Sequence, residues 1–436
     1  MVLSPLLSNS SLSGCLRNLV RVTSMRNSVR SRHTRALPPT ILSKIFGVNK
    51  GKAFGKDAAT AGSDFQRSVN FVKFLVTLDS DLEVFINYDE TSRRNIEINY
   101  LNFSSPCLRE ELLCKLSEPV RDCCHKVTIV GTGMVGVAIA NSLLFQRITS
   151  HIAMVDAFPK KLEGEGMDYS HSSTFIGDPK IEYDTDFCIS HNSKVVVITA
   201  GVRPVKGETR LDLVQRNAEI LRSIIPPLVN YSPNAVFVII SNPVDILSWI
   251  TWKISGLPVH QVIGSGTHLD SARFRFLIAD RLGIAPSSVQ GYIIGEHGDS
   301  MVPLWSGVNV AGVQFRDIIP NIGLETDDER WYEIAKEVVK LGPVVRCLKG
   351  YSNTAIGLSA ADIIMAILRN TQAIIPVSTL VQGHHDVCNE MFLSLPCAIG
   401  ENGITQIIRM HMTEYEKKLF QASAGAVYNV QKDVKP

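Results

Sequence analysis

The sequence predicts an α/β chain: a doubly wound parallel sheet followed by an α+β domain, with an N-terminal extension ahead of both. Three observations carry that expectation. The runs "KVTIV" (126–130), "HIAMVD" (151–156), "KVVVITAG" (194–201) and "AVFVIISNP" (235–243) are continuously apolar and rich in valine and isoleucine, as strands buried on both faces are. The segments between them are long enough for the crossover helices that parallel strands require. After about Gly264 the regular alternation gives way to helices and hairpin-like strands, which marks a second domain.

Taken from the N-terminus, residues 1–56 hold six arginines, four lysines and no acid, with frequent serines. Leu16, Leu19, Val20 and Val22 alternate with Arg17 and Arg21 so that a basic amphipathic helix can form. That composition is the one a mitochondrial transit peptide has, and mitochondrial import is the expectation; a disordered basic tail on a cytoplasmic protein is the alternative. Residues 57–107 show strand-like alternation in "FVKFLVTLDSDLEVFINYDE" but no chemistry, and a small ordered extension and a linker both remain open. The whole chain has 436 residues and a net charge of +2, so no nucleic-acid partner is expected. No run of eighteen apolar residues predicts a membrane span. The nine cysteines lack the CxxC pairs of a zinc site and read as reduced thiols; no metal is expected.

In "KVTIVGTGMVGVAIANSLL" the glycines Gly131, Gly133 and Gly136 follow an apolar run and head a helix. The first permits a tight turn, the second lets backbone approach a pyrophosphate, and the third lets helix and strand pack closely. The pyrophosphate then lies on the positive end of the helix. Asp156, closing the next apolar run, can accept hydrogen bonds from ribose hydroxyls and would repel a 2′-phosphate. NAD is therefore the expected cofactor, with residues 108–265 as an arm plus dinucleotide-binding domain and residues 266–436 as the substrate or catalytic domain.

Three further stretches carry polar groups. "SGTHLDSARFRF" sets Asp270 and Arg273 three residues apart, on one helix face. "GEHGDS" places His297 among glycines on a turn, and "IISNPVD" puts Asn242 at the carboxyl end of a buried run, where open α/β sheets bind ligands.

With "VGTGMVG", "ETRLDLVQRN", "SNPVDIL", "VIGSGTHLDSARFRF", "GEHGDS" and "LKGYSNTAIGLSAADI" in that order, the chain from about Leu108 to Lys432 resembles the lactate/malate dehydrogenase family, in its animal lactate branch. The resemblance implies a Rossmann sheet, a small 2-oxo or 2-hydroxy acid as substrate, and hydride transfer with NAD. It implies that His297 is the proton donor, stabilised by Asp270, and that Arg273 clamps the substrate carboxylate. Arg210, on the loop "GVRPVKGETR", would polarise the carbonyl when that loop closes as a lid. Asn242 would hydrogen-bond the substrate and lie near the nicotinamide, Arg203 would reach the cofactor phosphates, and Ser352 would stand at the substrate wall. "LREELLCKLSEP" (108–119) resembles the arm with which these enzymes form a homotetramer.

Three departures from the family pattern stand out. Pro204, six residues before Arg210, occupies the position where lactate dehydrogenases carry glutamine and malate dehydrogenases arginine. A monocarboxylic 2-oxo acid, pyruvate first, is therefore expected. "GYSNT" places Ser352 and Thr354 where the family has a threonine and a tryptophan, which implies a roomier pocket. Gly342 and Pro343 fall inside a predicted helix, where proline is expected to kink it. Two alternatives stay open: a malate dehydrogenase, and a catalytically weak homologue that keeps the fold for binding or regulation.

Overall fold

The computed structural model describes strands at residues 71–77, 83–89 and 96–101, and residues 125–202 and 207–435. Strands β1 (Phe71–Thr77), β2 (Glu83–Asp89) and β3 (Ile96–Leu101) form an antiparallel meander by themselves. These three strands lie within residues 57–107. The basic tail of residues 1–56, the arm at 108–119, and Arg203 and Pro204 lie outside the described residues.

From β4 onward the chain alternates as its apolar runs dictate. The order is β4 (Val127–Val130), α1 (Met134–Phe145), β5 (His151–Val155), α2 (Pro159–Ile176), β6 (Lys180–Asp184), β7 (Val195–Ile198), α3 (Arg210–Tyr231), β8 (Val236–Ile239), α4 (Val244–Ser255) and β9 (Val262–Gly264). The strands β6-β5-β4-β7-β8-β9 run parallel in that order. The chain winds outward from β4 to one edge, returns, and winds to the other, which is the doubly wound Rossmann topology. Every residue of β4, β5, β7, β8 and β9 is buried, consistent with helices on both faces. Truncating one of their fully enclosed side chains, Phe237 for example, would cost about 3–5 kcal/mol through lost transfer energy and the cavity left behind.

The second half continues the same sheet. α5 (His268–Leu282) follows β9; short strands β10 (Val289–Gln290), β11 (Ile293–Ile294), β12 (Val302–Pro303), β13 (Asn309–Val310) and β14 (Val313–Gln314) make small antiparallel ladders. After α6 (Phe315–Ile318), α7 (Tyr332–Lys349) and α8 (Thr354–Leu368) come β15 (Ala373–Leu380), β16 (Phe392–Gly400), β17 (Gly403–Ile407) and α9 (Glu414–Gln431). β15 joins β9 antiparallel through Ser378 and Gly264, giving a nine-stranded sheet. Only glycine fits at that joint: a Cβ on Gly264 would come within 2.7 Å of the Ser378 Cβ.

The helix predicted around Gly342 and Pro343 is α7. It runs from Tyr332 to Lys349 without a break, through Gly342 and Pro343. Val339, whose carbonyl loses its donor to the proline, lines an open cleft together with Pro343, so water can satisfy that carbonyl.

Candidate active site

The first turns after β4, β7, β8 and β9 converge at the carboxyl end of the parallel strands, where the direction of winding reverses. α7, α8 and the loop around His297 close the other side of a cleft of about 770 Å³. Open α/β sheets bind ligands at this switch point.

The glycine turn fits a pyrophosphate. Gly131 has φ +99°, and a Cβ there would meet the Ala200 backbone nitrogen at 2.7 Å. A Cβ on Gly136 would lie 1.9 Å from the Gly131 oxygen, so strand and helix touch backbone to backbone. Gly133 differs: a Cβ would meet nothing within 4 Å, and the residue lines the cleft. It is also the N-cap of α1, which no side chain caps, leaving the first amide N–H groups of the helix open to an anion. The Asp156 carboxylate is held beside this turn by the Thr132 backbone N–H at 2.6 Å, its hydroxyl at 2.9 Å and the Phe158 N–H at 3.1 Å. Lys161 donates to the Thr132 carbonyl at 2.7 Å and is thereby committed to the turn.

Across the cleft, α5 presents Asp270 and Arg273 on one face. The Asp270 carboxylate is only 1 % exposed, and both its oxygens are used. Oδ1 accepts from Arg273 Nη1 at 3.1 Å, and Oδ2 meets His297 Nδ1 at 2.5 Å. Nε2 is thus the imidazole nitrogen left for a substrate. Burial works to lower the His297 pKa, but the charge of Asp270 and its hydrogen bond outweigh it, and the net direction is upward. Burial likewise pushes Asp270 up, while His297 and Arg273 pull harder and hold it below the usual carboxylate range.

The loop carrying His297 is pinned from below. Its own backbone N–H donates to Asp245 Oδ2 at 2.9 Å, and the N–H of Glu296 donates to the Ser423 hydroxyl at 2.9 Å. Asp245 is fully buried and takes a second hydrogen bond from Ser378 Oγ at 2.6 Å; burial pushes its pKa up to about 6.

Arg210 opens α3, behind a capping box between Thr209 and Asp212. It lines the cleft and is ion-paired with buried Glu296, whose second oxygen accepts from Ser300. Asn242, at the end of β8, lines the cleft near the glycine turn, with its carbonyl held by the Asn217 amide at 3.2 Å. Ser352 lines the opposite wall, whereas Thr354 is exposed at the start of α8 and outside the cleft lining.

The structure therefore brings Gly133, Gly136, Arg210, Asn242, Asp270, Arg273, His297 and Ser352 around one cleft. Gly131 and Asp156 support its glycine turn. Sequence reasoning missed Asp245, Glu296 and Asn217. Asp245 stands within "SNPVDIL", but an acid in a helix's first turn has an ordinary explanation in the helix dipole.

Fold and cleft together define an NAD-dependent oxidoreductase. The chain belongs to the lactate/malate dehydrogenase family: residues 125–264 match its NAD-binding domain and residues 267–435 its alpha/beta C-terminal domain. Curated relatives include the L-lactate dehydrogenase B chain of Bos taurus, 50% identical over 75% of this chain and 98% of the relative. The human B chain is 49% identical over the same shares, and the L-lactate dehydrogenase C chain of Mus musculus is 50% identical over 71% of this chain and 93% of its own length.

Proposed function

We propose that the chain interconverts a 2-hydroxy acid and a 2-oxo acid with NAD, (S)-lactate and pyruvate first. One observation carries this reading: the His297–Asp270 pair shares its carboxylate with Arg273, on the wall facing the glycine turn. A proton donor and a carboxylate clamp are thereby fixed relative to each other.

The first amides of α1 would hold the pyrophosphate and Asp156 a ribose hydroxyl. When bound, NADH supplies the hydride for the substrate's C2 carbon. Arg273 would grip the substrate carboxylate with its planar fork, which lysine lacks. His297, protonated at Nε2, would give its proton to the oxygen on C2, and Asp270 would stabilise the imidazolium before that transfer. Arg210 and Asn242 would donate hydrogen bonds to the same oxygen as negative charge grows on it. In the reverse direction neutral His297 would take the hydroxyl proton.

NADH oxidation by the purified chain with pyruvate, 2-oxobutyrate, 2-oxo-4-methylpentanoate and oxaloacetate tests this, with His297→Asn as control. A clear preference for oxaloacetate would favour the malate reading. Retained cofactor binding without turnover of any 2-oxo acid would favour the binding homologue.

Two further expectations belong to the same proposal. Import into mitochondria rests on the acid-free composition of residues 1–56, and a reporter fused to them would stay diffuse in the cytosol if that is wrong. A homotetramer rests on the resemblance of residues 108–119, and sedimentation of the full chain measures it.

A further inference from the structure

Three arginines line the cleft: Arg210, Arg273 and Arg346. The first is paired with Glu296 and the second with Asp270. Among the described residues, the side chain of Arg346 has no ion pair and no hydrogen bond. It sits in the last turn of α7, where a cation also complements the helix dipole. Its neighbour Lys349 is already engaged, donating to Asn353 Oδ1 at 2.7 Å and lying over the Tyr351 ring. Arg346 alone of this pair faces the cleft.

Its position relative to the clamp is defined by the helix. Gly342 lies against the Arg273 guanidinium, since a Cβ there would be 3.7 Å from Nη1. Arg346 is four residues on, on the same face, about 6 Å further along the axis. Gly350, Tyr351 and Ser352 continue that wall. Gly342 leaves space beside the Arg273 guanidinium that any side chain would reduce. Asp270 and Asp299 are the acids among the lining residues, and Asp270 is already neutralised by its partners.

We propose that Arg346 receives an anionic end group on the substrate, so that the cleft accepts 2-oxo dicarboxylates of five and six carbons beside pyruvate. This rests on the 2-oxo acid reading of the site. With the first carboxylate on Arg273, a second carboxylate two or three methylenes beyond the oxo carbon would extend past Gly342 along α7 toward Arg346, one turn on. The four-carbon oxaloacetate extends less far. Arg346 is an exposed residue of the cleft lining, so the pair would contribute through its charge-assisted, bidentate hydrogen bonds rather than through burial.

The test is steady-state NADH oxidation by the full chain with pyruvate, 2-oxopentanoate, 2-oxohexanoate, oxaloacetate, 2-oxoglutarate and 2-oxoadipate, for wild type and for Arg346→Ala, Arg346→Lys and Arg346→Glu. The expected result is that Arg346→Ala lowers kcat/KM for 2-oxoglutarate or 2-oxoadipate at least tenfold more than for the uncharged acid of equal length. The loss should appear mainly in KM, with partial recovery in Arg346→Lys and a larger loss in Arg346→Glu. Equal losses across the series would overturn the proposal and leave Arg346 as a helix-end charge, as would failure of the wild type to reduce either longer dicarboxylate while it reduces pyruvate. Absence of turnover with every 2-oxo acid, pyruvate included, would overturn the reaction itself and this role with it.

Discussion

The Arg210 guanidinium is ion-paired with Glu296, the residue immediately before His297. A group at the head of α3 is thereby tied to the loop that carries His297. Glu296 is 1 % exposed and Arg210 is its cationic partner, so removing the arginine strands a buried carboxylate. Arg210→Gln should therefore lower the melting temperature more than the double variant Arg210→Gln/Glu296→Gln, while both lose turnover by about 10²-fold or more. Equal melting temperatures for the single and double variants would show that the pair contributes no coupling.

The pH dependence follows from the upward direction of the His297 pKa. On the proposed mechanism, reduction of the 2-oxo acid needs protonated His297, so its rate should hold at low pH and be lost as pH rises through that pKa. Oxidation of the 2-hydroxy acid would then need neutral His297 and should rise over the same interval. Asp270→Asn removes the charge that raises the pKa, so both limbs should move to lower pH, with kcat reduced about 10²- to 10⁴-fold. Limbs that stay in place would assign the titration to another group.

Arg273→Lys keeps the charge and discards the fork. A charge-assisted hydrogen bond is worth about 1.5–3 kcal/mol, so kcat/KM for pyruvate should fall about 10- to 100-fold, with NADH affinity measured by fluorescence little altered. A wild-type value would remove Arg273 from the substrate site.

Asp245 is a carboxyl whose folded pKa, about 6, lies above its ordinary 3.8. The fold therefore binds this proton more tightly than the unfolded chain does. That contribution to stability is fully present below about pH 4 and is lost as pH rises through 6. Asp245→Asn cannot ionise, so its stability should decline less between pH 4 and pH 7 than the wild type's, read from denaturant melts at each pH. Parallel curves would contradict this.

In the proposed cofactor placement Asp156 faces the position of a 2′-phosphate. Asp156→Asn removes the repulsion while keeping an acceptor, and the preference for NADH over NADPH should narrow about tenfold, equivalent to about 1.4 kcal/mol. An unchanged ratio of kcat/KM for the two cofactors would place the discrimination elsewhere.

How far the sequence could be read depends on how local each signal is. The glycine turn was legible because Gly131, Gly133 and Gly136 sit between a strand and a helix, where φ and close packing demand glycine. Asp270, Arg273 and His297 were legible as a set, through an ordered series of motifs. Asp245 was not, because its partner Ser378 lies 133 residues away and nothing local marks a carboxylate as buried. Glu296 hid for a similar reason: its partner Arg210 is 86 residues distant. Pro343 is expected to kink its helix because it removes a backbone hydrogen bond; the helix continues through it, and that turn lies beside an open cleft.

The joint between Gly264 and Ser378 has a mechanical consequence. The strands that lead into the glycine turn and those beyond β15 belong to one sheet, joined at the single pair Ser378–Gly264. Ser378 is spliced into that joint and also hydrogen-bonds Asp245, which holds the His297 backbone. Displacing Ser378 would therefore disturb the hydrogen bonds that hold His297 in place. The station of His297 is thus set by a residue of the sheet joint, whereas Arg210 and Arg346 come from elements laid over the strand ends, the head of α3 and the inner face of α7.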